Sequence, residues 1–261
     1  MLRYLYLWGC YMRLNWLALM AYRWNFLAMN VGNLINNLGA VALFWVIFGH
    51  VKAIGSWSFE QVLFLYALSM LARATWHLFG VNVMSIGPMI HGGELDRLLV
   101  RPLNPLFQVI ASYLDNDDWG ELTMGIALLT VAVRRLGLVD SPLDLPGLAV
   151  VVLSGGLIYL AVHLAFNTVA FWTVRVRPIQ HMAWDLDNFS RYPLDIYDRR
   201  IQGLLTFVFP FGFAAFYPAQ TFFGTHLAWA GWLTPVVALA AFAAAYQFWL
   251  TGLRAYSGTG T

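Results

Sequence analysis

The chain has 261 residues, of which 60% are apolar and only 11% charged, with a formal net charge of +2. A water-soluble domain normally carries about 25% charged residues, and mean hydropathy here is +0.65. These values argue against a soluble enzyme, a disordered chain or a nucleic-acid binder and leave an integral membrane protein. Fourteen arginines accompany a single lysine, Lys52. A phosphate-gripping loop of the form G-x-x-x-x-G-K-[ST] has no counterpart around Gly49-His50-Val51-Lys52-Ala53, so nucleotide is not bound in that way. One cysteine, Cys10, rules out an intrachain disulfide or a cysteine-based zinc cluster.

Residues 1–25 carry Arg3, Arg13 and Arg23 among Trp8, Trp16, Trp24 and four tyrosines. Basic residues scattered through the apolar run do not fit a cleaved signal peptide. Trp and Tyr favour the headgroup level, so an amphipathic helix lying in the interface is expected, with a short extra span as the alternative.

A hydrocarbon core of about 30 Å takes about 20 helical residues, and six stretches qualify. The first, 26–48, places Asn30, Asn33 and Asn37 on one helical face with Asn36 beside them. Such amides avoid lipid; they either bond to neighbouring helices or line a path for substrate. The second, 59–83, contains Arg73. The third is 120–138. The fourth, 147–174, is long enough to expect a tilt, or a kink near Gly155-Gly156. The fifth, 201–217, is short and broken by Pro210. Its Phe207, Phe209, Phe211 and Phe213 form either a packing surface or an apolar route suited to an amphipathic cargo. Residues 218–232 are too short to cross and too apolar for a free loop, so a re-entrant or interfacial hairpin is expected. The sixth span is 233–253. Continuous runs without alternation argue against a β-barrel. The expected fold is all-α and integral to the membrane, with 1–25 as the interfacial helix and 26–261 as one six-span domain.

Basic residues orient the spans. With both termini in the cytoplasm, eleven arginines fall inside and three basic residues (Lys52, Arg134 and Arg135) outside. This makes two long charged segments, 84–118 and 175–200, cytoplasmic loops. Chemistry is harder to find. The six histidines show no H-x-x-x-H or H-E-x-x-H spacing, and no G-x-S-x-G elbow exists, so no catalytic or metal site is expected. Asp115, Asp117 and Asp118 read as helix-start acids. Nearly all carboxylates fall in loops or at span ends, which argues against a gradient-driven carrier.

Residues 86–110 are the most informative piece. Gly92-Gly93 supplies a turn, and Glu94-Leu95-Asp96-Arg97-Leu98-Leu99 a short amphipathic helix. Pro102 and Pro105 then prevent its continuation. Leu95, Leu98 and Leu99 are expected to share one apolar face for a soluble partner, flanked by the charges of Glu94, Asp96 and Arg97.

The run from Gly93 through Arg101, Pro102 and Phe107 resembles the loop between the second and third spans of ABC-2 type ABC transporter permeases. Ser190-Arg191-Tyr192-Pro193-Leu194-Asp195-Ile196-Tyr197, Phe207 to Phe211 and Tyr217-Pro218-Ala219 resemble the same bacterial exporter branch. The resemblance implies a non-enzymatic six-helix permease of the inner membrane, paired with a second permease chain. It implies two separate ATPase subunits that hold ATP and Mg, and a coupling helix at residues 92–102. A gradient-driven carrier and a non-transporting scaffold are the rival readings.

Overall fold

The computed structural model describes residues 2–113, 118–138, 144–173 and 176–258. Thirteen α-helices, joined by short 3-10 and π turns, make up most of the described residues. They are α1 (Leu2–Ala21), α2 (Arg23–His50), α3 (Phe59–Gly80), α4 (Ile86–His91), α5 (Glu94–Leu99) and α6 (Pro105–Ala111). Then follow α7 (Trp119–Leu136), α8 (Asp144–Thr168), α9 (Arg177–Phe189), α10 (Arg199–Gly203), α11 (Phe216–Phe222), α12 (Ala228–Gly231) and α13 (Thr234–Ala255). Among the described residues four stretches are long and apolar enough to cross a membrane, Arg23–His50, Phe59–His91, Leu145–Phe171 and Thr234–Ala255, and the bent pair Arg199–Val208 with Phe211–Phe222 would make a fifth if it counts as one span.

Local chemistry sets many of the boundaries. Ser58 and Gln61 form a reciprocal capping box at the start of α3. Asn104 accepts from the Phe107 N–H at the start of α6, and Asp198 caps α10. Gly137, with φ of 62°, ends α7 in the left-handed conformation that favours glycine.

α3 is the axis of the bundle: 89% of its apolar stretch is buried, against 11% for α2. α7 runs antiparallel to it and α8 parallel, and α13 packs along α8. Where a tilt or a kink was expected, α8 runs as one uninterrupted helix through Gly155-Gly156. These glycines serve close approach instead. A Cβ on Gly155 would lie 2.7 Å from the Ala72 Cβ and 2.9 Å from the Ala214 carbonyl oxygen.

Residues 175–200 do not form one loop at one end of the bundle. Gln180 donates to the Met84 carbonyl (2.8 Å), beyond the C-terminal end of α3. Ser190 bonds Ser69 (3.0 Å), and Tyr192 packs on Phe44, which in turn touches Tyr66. Asp195 accepts from the Trp57 indole (2.9 Å), just before α3 begins. The segment therefore climbs the whole length of α3 in the opposite direction. Asp187 and Ser190 are buried and Gln180 and Arg191 half-buried, whereas hydropathy alone reads the whole charged segment as a solvated loop.

The stretch at 201–217, expected as a short span broken by Pro210, is interrupted there. α10 and a π turn (Leu204–Val208) meet the 3-10 turn Phe211–Phe213 and α11 at a bend of 79°. Pro210 lacks the N–H that a continuing helix needs. Phe209 at the bend packs on Phe166, while Phe216 and Phe223 return to Trp57. The chain thus dips into the bundle and comes back to the end it left.

Close approach at Gly155 makes a measurable expectation. Gly155→Ala should lower stability by roughly 1–3 kcal/mol through overpacking, whereas Gly147→Ala, with open space around it, should not. Thermal unfolding of the two purified variants in detergent checks this.

Candidate functional site

Ser69, Arg73 and His77 recur every four residues on α3, so they share one face. All three are buried. A charge taken out of water needs a partner, and each base has one. The Arg73 Nε donates to Glu121 Oε1 at 2.9 Å, and its Nη2 reaches the same oxygen. His77 Nδ1 meets Asp118 at the N-cap of α7. His163 of α8, stacked on Trp76 at 4.1 Å, bonds Asp187 of α9 at 2.8 Å. Ser69, Tyr159 and Ser190 close a small hydroxyl cluster beside them.

These groups surround a polar cavity of about 330 Å³ lined by Arg73, His77, Asp118, Glu121, Asp187 and Arg191, with asparagines from α2 and α9. Asn36, Trp184 and Asn188 are exposed, so its mouth lies between α2 and α9. Asn33 and Asn37, proposed from sequence as path residues, do line it. Asn30 does not. Its side chain donates to the Phe26 carbonyl (2.8 Å) and accepts from the Gly120 N–H (2.6 Å), docking α2 on the first turn of α7.

Sequence reasoning placed Glu121, Asp118 and Asp187 in loops or at span ends and missed this network. The available signal was the pair Arg73 and His77, four apart inside an apolar span, which demands carboxylates from elsewhere. Asp115 and Asp117 lie outside the described residues.

The phenylalanines form a second place. Phe207, Phe209 and Phe213 line an apolar groove of about 580 Å³ with Phe166 and Phe248, and it shares no residue with the polar cavity. Phe211 is excluded from it: its ring is buried and packs on Tyr159 at 5.0 Å. The asparagines Asn33 and Asn37 and the phenylalanines Phe207, Phe209 and Phe213 therefore line two separate cavities.

Residues 92–102 form a compact projection. Gly92 ends α4, and Gly93 opens α5 at φ of 69°, a left-handed turn. Leu95 is corrected: it is fully buried in the chain's own core and cannot face a partner. Leu98 is half-buried, and buried Gln108 donates to the Leu98 and Leu103 carbonyls at 3.0 and 3.3 Å. Asp96 is half-buried, and Pro102, exposed, follows the helix. The outward surface is Glu94, Arg97, Leu99, Val100 and Arg101, with Glu94 and Arg97 paired at 3.7 Å.

The buried pair gives a stability test. Glu121→Ala strands Arg73 and should destabilise by about 3–5 kcal/mol, while Arg73→Met combined with Glu121→Met should recover most of the loss. Denaturation of the three proteins in detergent measures it, and equal loss in single and double variants would refute the pairing.

A family model described as ABC-2 family transporter protein matches residues 34–260. No curated protein and no solved structure matches the chain. The match covers well over half of the sequence, so the chain belongs to the ABC-2 transporter family.

Proposed function

We propose that this ABC-2 family membrane protein is the permease subunit of an ATP-driven exporter for an amphipathic or hydrophobic substrate. In this reading two ABC ATPase subunits hold the ATP and Mg, and a second permease chain, identical or paralogous, completes the pathway. The observation that carries the reading, beside the family, is the α5 projection. It is held from within by Leu95 and Gln108 yet presents Arg97, Leu99 and Val100 outward. α4 links it through a short 3-10 turn to α3, so a push on α5 acts directly on the central helix.

The proposed topology has six crossings: α2, α3 with α4, α7, α8, the 177–198 segment and α13. Residues 199–223 form a re-entrant hairpin between the last two. The climb of 177–198 along α3 supports this assignment. Both termini and α5 then share the cytoplasmic side of a bacterial inner membrane. The basic excess inside narrows, because Arg199 and Arg200 pass outside and Arg191 enters the bundle. α1, with only Leu19 buried, is read as the interfacial helix lying against α6 and the start of α7.

The argument from absent carboxylates no longer weighs against a gradient-driven carrier, since Glu121 and Asp187 are buried. Membership of the family supports ATP as the energy source, and in this reading, with no phosphate loop in the sequence, a partner chain hydrolyses it. The purified permease should show no ATPase activity. In proteoliposomes with its partners, transport should require ATP and survive a protonophore; transport by the lone chain driven by a proton gradient would sink the exporter reading.

Two variants separate coupling from folding. Val100→Asp should leave the permease folded but weaken ATPase binding by roughly tenfold or more, as loss of an anchor in a small interface does. Leu95→Asp should instead prevent stable folding, because it buries a charge. Normal transport by Val100→Asp would remove α5 from the coupling surface. Cysteine labelling in a Cys10-free protein tests the topology: position 196 should react from outside intact cells and position 181 should not.

A further inference from the structure

We propose that the polar cavity between α2, α3, α7 and α9 binds an anionic phosphate group. Three carboxylates line it, and each is already hydrogen-bonded: Glu121 to the Arg73 guanidinium, Asp118 to the His77 imidazole and Asp187 to the His163 imidazole. Arg191 is the base left over. It lines the same cavity, and its buried Nε has no partner. Arg73 is only 6% exposed, and its Nη1 is likewise without a partner although Nε and Nη2 are satisfied. Their like charges act on each other. A buried donor left unmade is costly, more so on a charged group, and two guanidinium groups lining one cavity suit the several oxygens of a phosphate.

The remaining lining fits. Asn33, Asn36, Asn37 and Asn188 add amides around the mouth. Asp187 keeps Oδ1 unpaired, an acceptor for a hydroxyl beside the phosphate. A volume of about 330 Å³ admits one headgroup or a small phosphate ester and not a folded partner. The group could arrive on a lipid, through the side opening between α2 and α9, or as a free anion. The inference goes beyond the exporter reading and does not need it: binding would stand even if no ATPase partner were found.

The test is titration of the full-length chain in neutral maltoside detergent, followed by the melting of its tryptophan fluorescence. The probes are dihexanoyl phosphatidylglycerol, glycerol 3-phosphate and inorganic phosphate, with dihexanoyl phosphatidylcholine as the neutral-headgroup control. At least one anionic probe should raise the melting temperature saturably, and phosphatidylcholine should not. Response to phosphatidylglycerol alone identifies a lipid headgroup; response to the water-soluble phosphates identifies a free anion; both support the site. Arg191→Gln breaks no existing pair, so it should fold normally and weaken binding roughly tenfold or more, the loss expected of a charge-assisted hydrogen bond. Arg73→Gln with Glu121→Gln removes the second cation without stranding a carboxylate and should do the same. Arg135→Gln, at an exposed arginine of α7, should bind as the parent does. The proposal is overturned if no anionic probe shifts the melting, if phosphatidylcholine shifts it equally, or if Arg191→Gln binds undiminished.

Discussion

Arg73 lies buried two-thirds of the way along α3, and most of the bundle is arranged to answer its charge. A guanidinium in an apolar interior must find a carboxylate, and Glu121 supplies it from α7. One turn further on, His77 takes Asp118 at the start of the same helix. One turn before, Ser69 meets Ser190, which follows α9. The same polar face of α3 thus selects α7 on one side and the 177–198 segment on the other. α8 joins by stacking His163 on Trp76 and bonding Asp187. Packing at Gly155 and Gly156 then brings α8 against α3 without a side chain between them.

Such pairs are poor sources of stability. Replacing a buried ion pair by well-packed apolar residues is often neutral or stabilising, whereas removing one partner is strongly destabilising. Three adjacent acid–base pairs are therefore better understood as setting a geometry than as strengthening the fold. What they set here is a cavity wall: each carboxylate is held by a base, and the side chains of Arg73 and Arg191 keep unpartnered nitrogens at the same cavity. The apolar groove around Phe209 follows a different logic. The 79° break at Pro210 prevents the Phe207 to Phe213 run from packing as a helix against α8 and α13, and the gap stays open.

How much of this was legible in the sequence follows from what hydropathy can register. α2, α3, α8 and α13 are continuous apolar runs, and each was found within a few residues. The 177–198 segment was not, because Asp187 and Arg191 look identical whether solvated or turned inward. Only the positions of their partners, far apart in sequence, distinguish the two cases. At 201–217 the break at Pro210 was legible from the missing N–H, whereas the direction the chain takes after it was not. Among the candidate residues, the α2 asparagines divided. Asn33 and Asn37 reach the cavity, while Asn30 is one turn too close to the start of α7 and is spent on the Gly120 N–H. In α5 the turn at Gly93 was readable from composition, but the burial of Leu95 was not, since an amphipathic pattern does not say which body covers the apolar side.

That burial changes what α5 can do. If Leu95, Leu98 and Leu99 all faced a partner, the helix would be a detachable plug, and its movement need not reach the spans. With Leu95 in the core and Gln108 gripping the Leu98 and Leu103 carbonyls, α5 and α6 move as one piece. Asn104, at the start of α6, bonds Tyr246 of α13 at 2.8 Å and Tyr4 of α1 at 3.1 Å. α4 joins the other end of the projection to α3 through a single 3-10 turn. Displacing α5 therefore loads α3 and α13 together, and α3 carries Arg73 and His77 into the polar cavity. In the proposed transport cycle the ATPase would reach that cavity through one helix rather than through a chain of loops, and the contacts of Arg73 with Glu121 and of His77 with Asp118 lie on that helix.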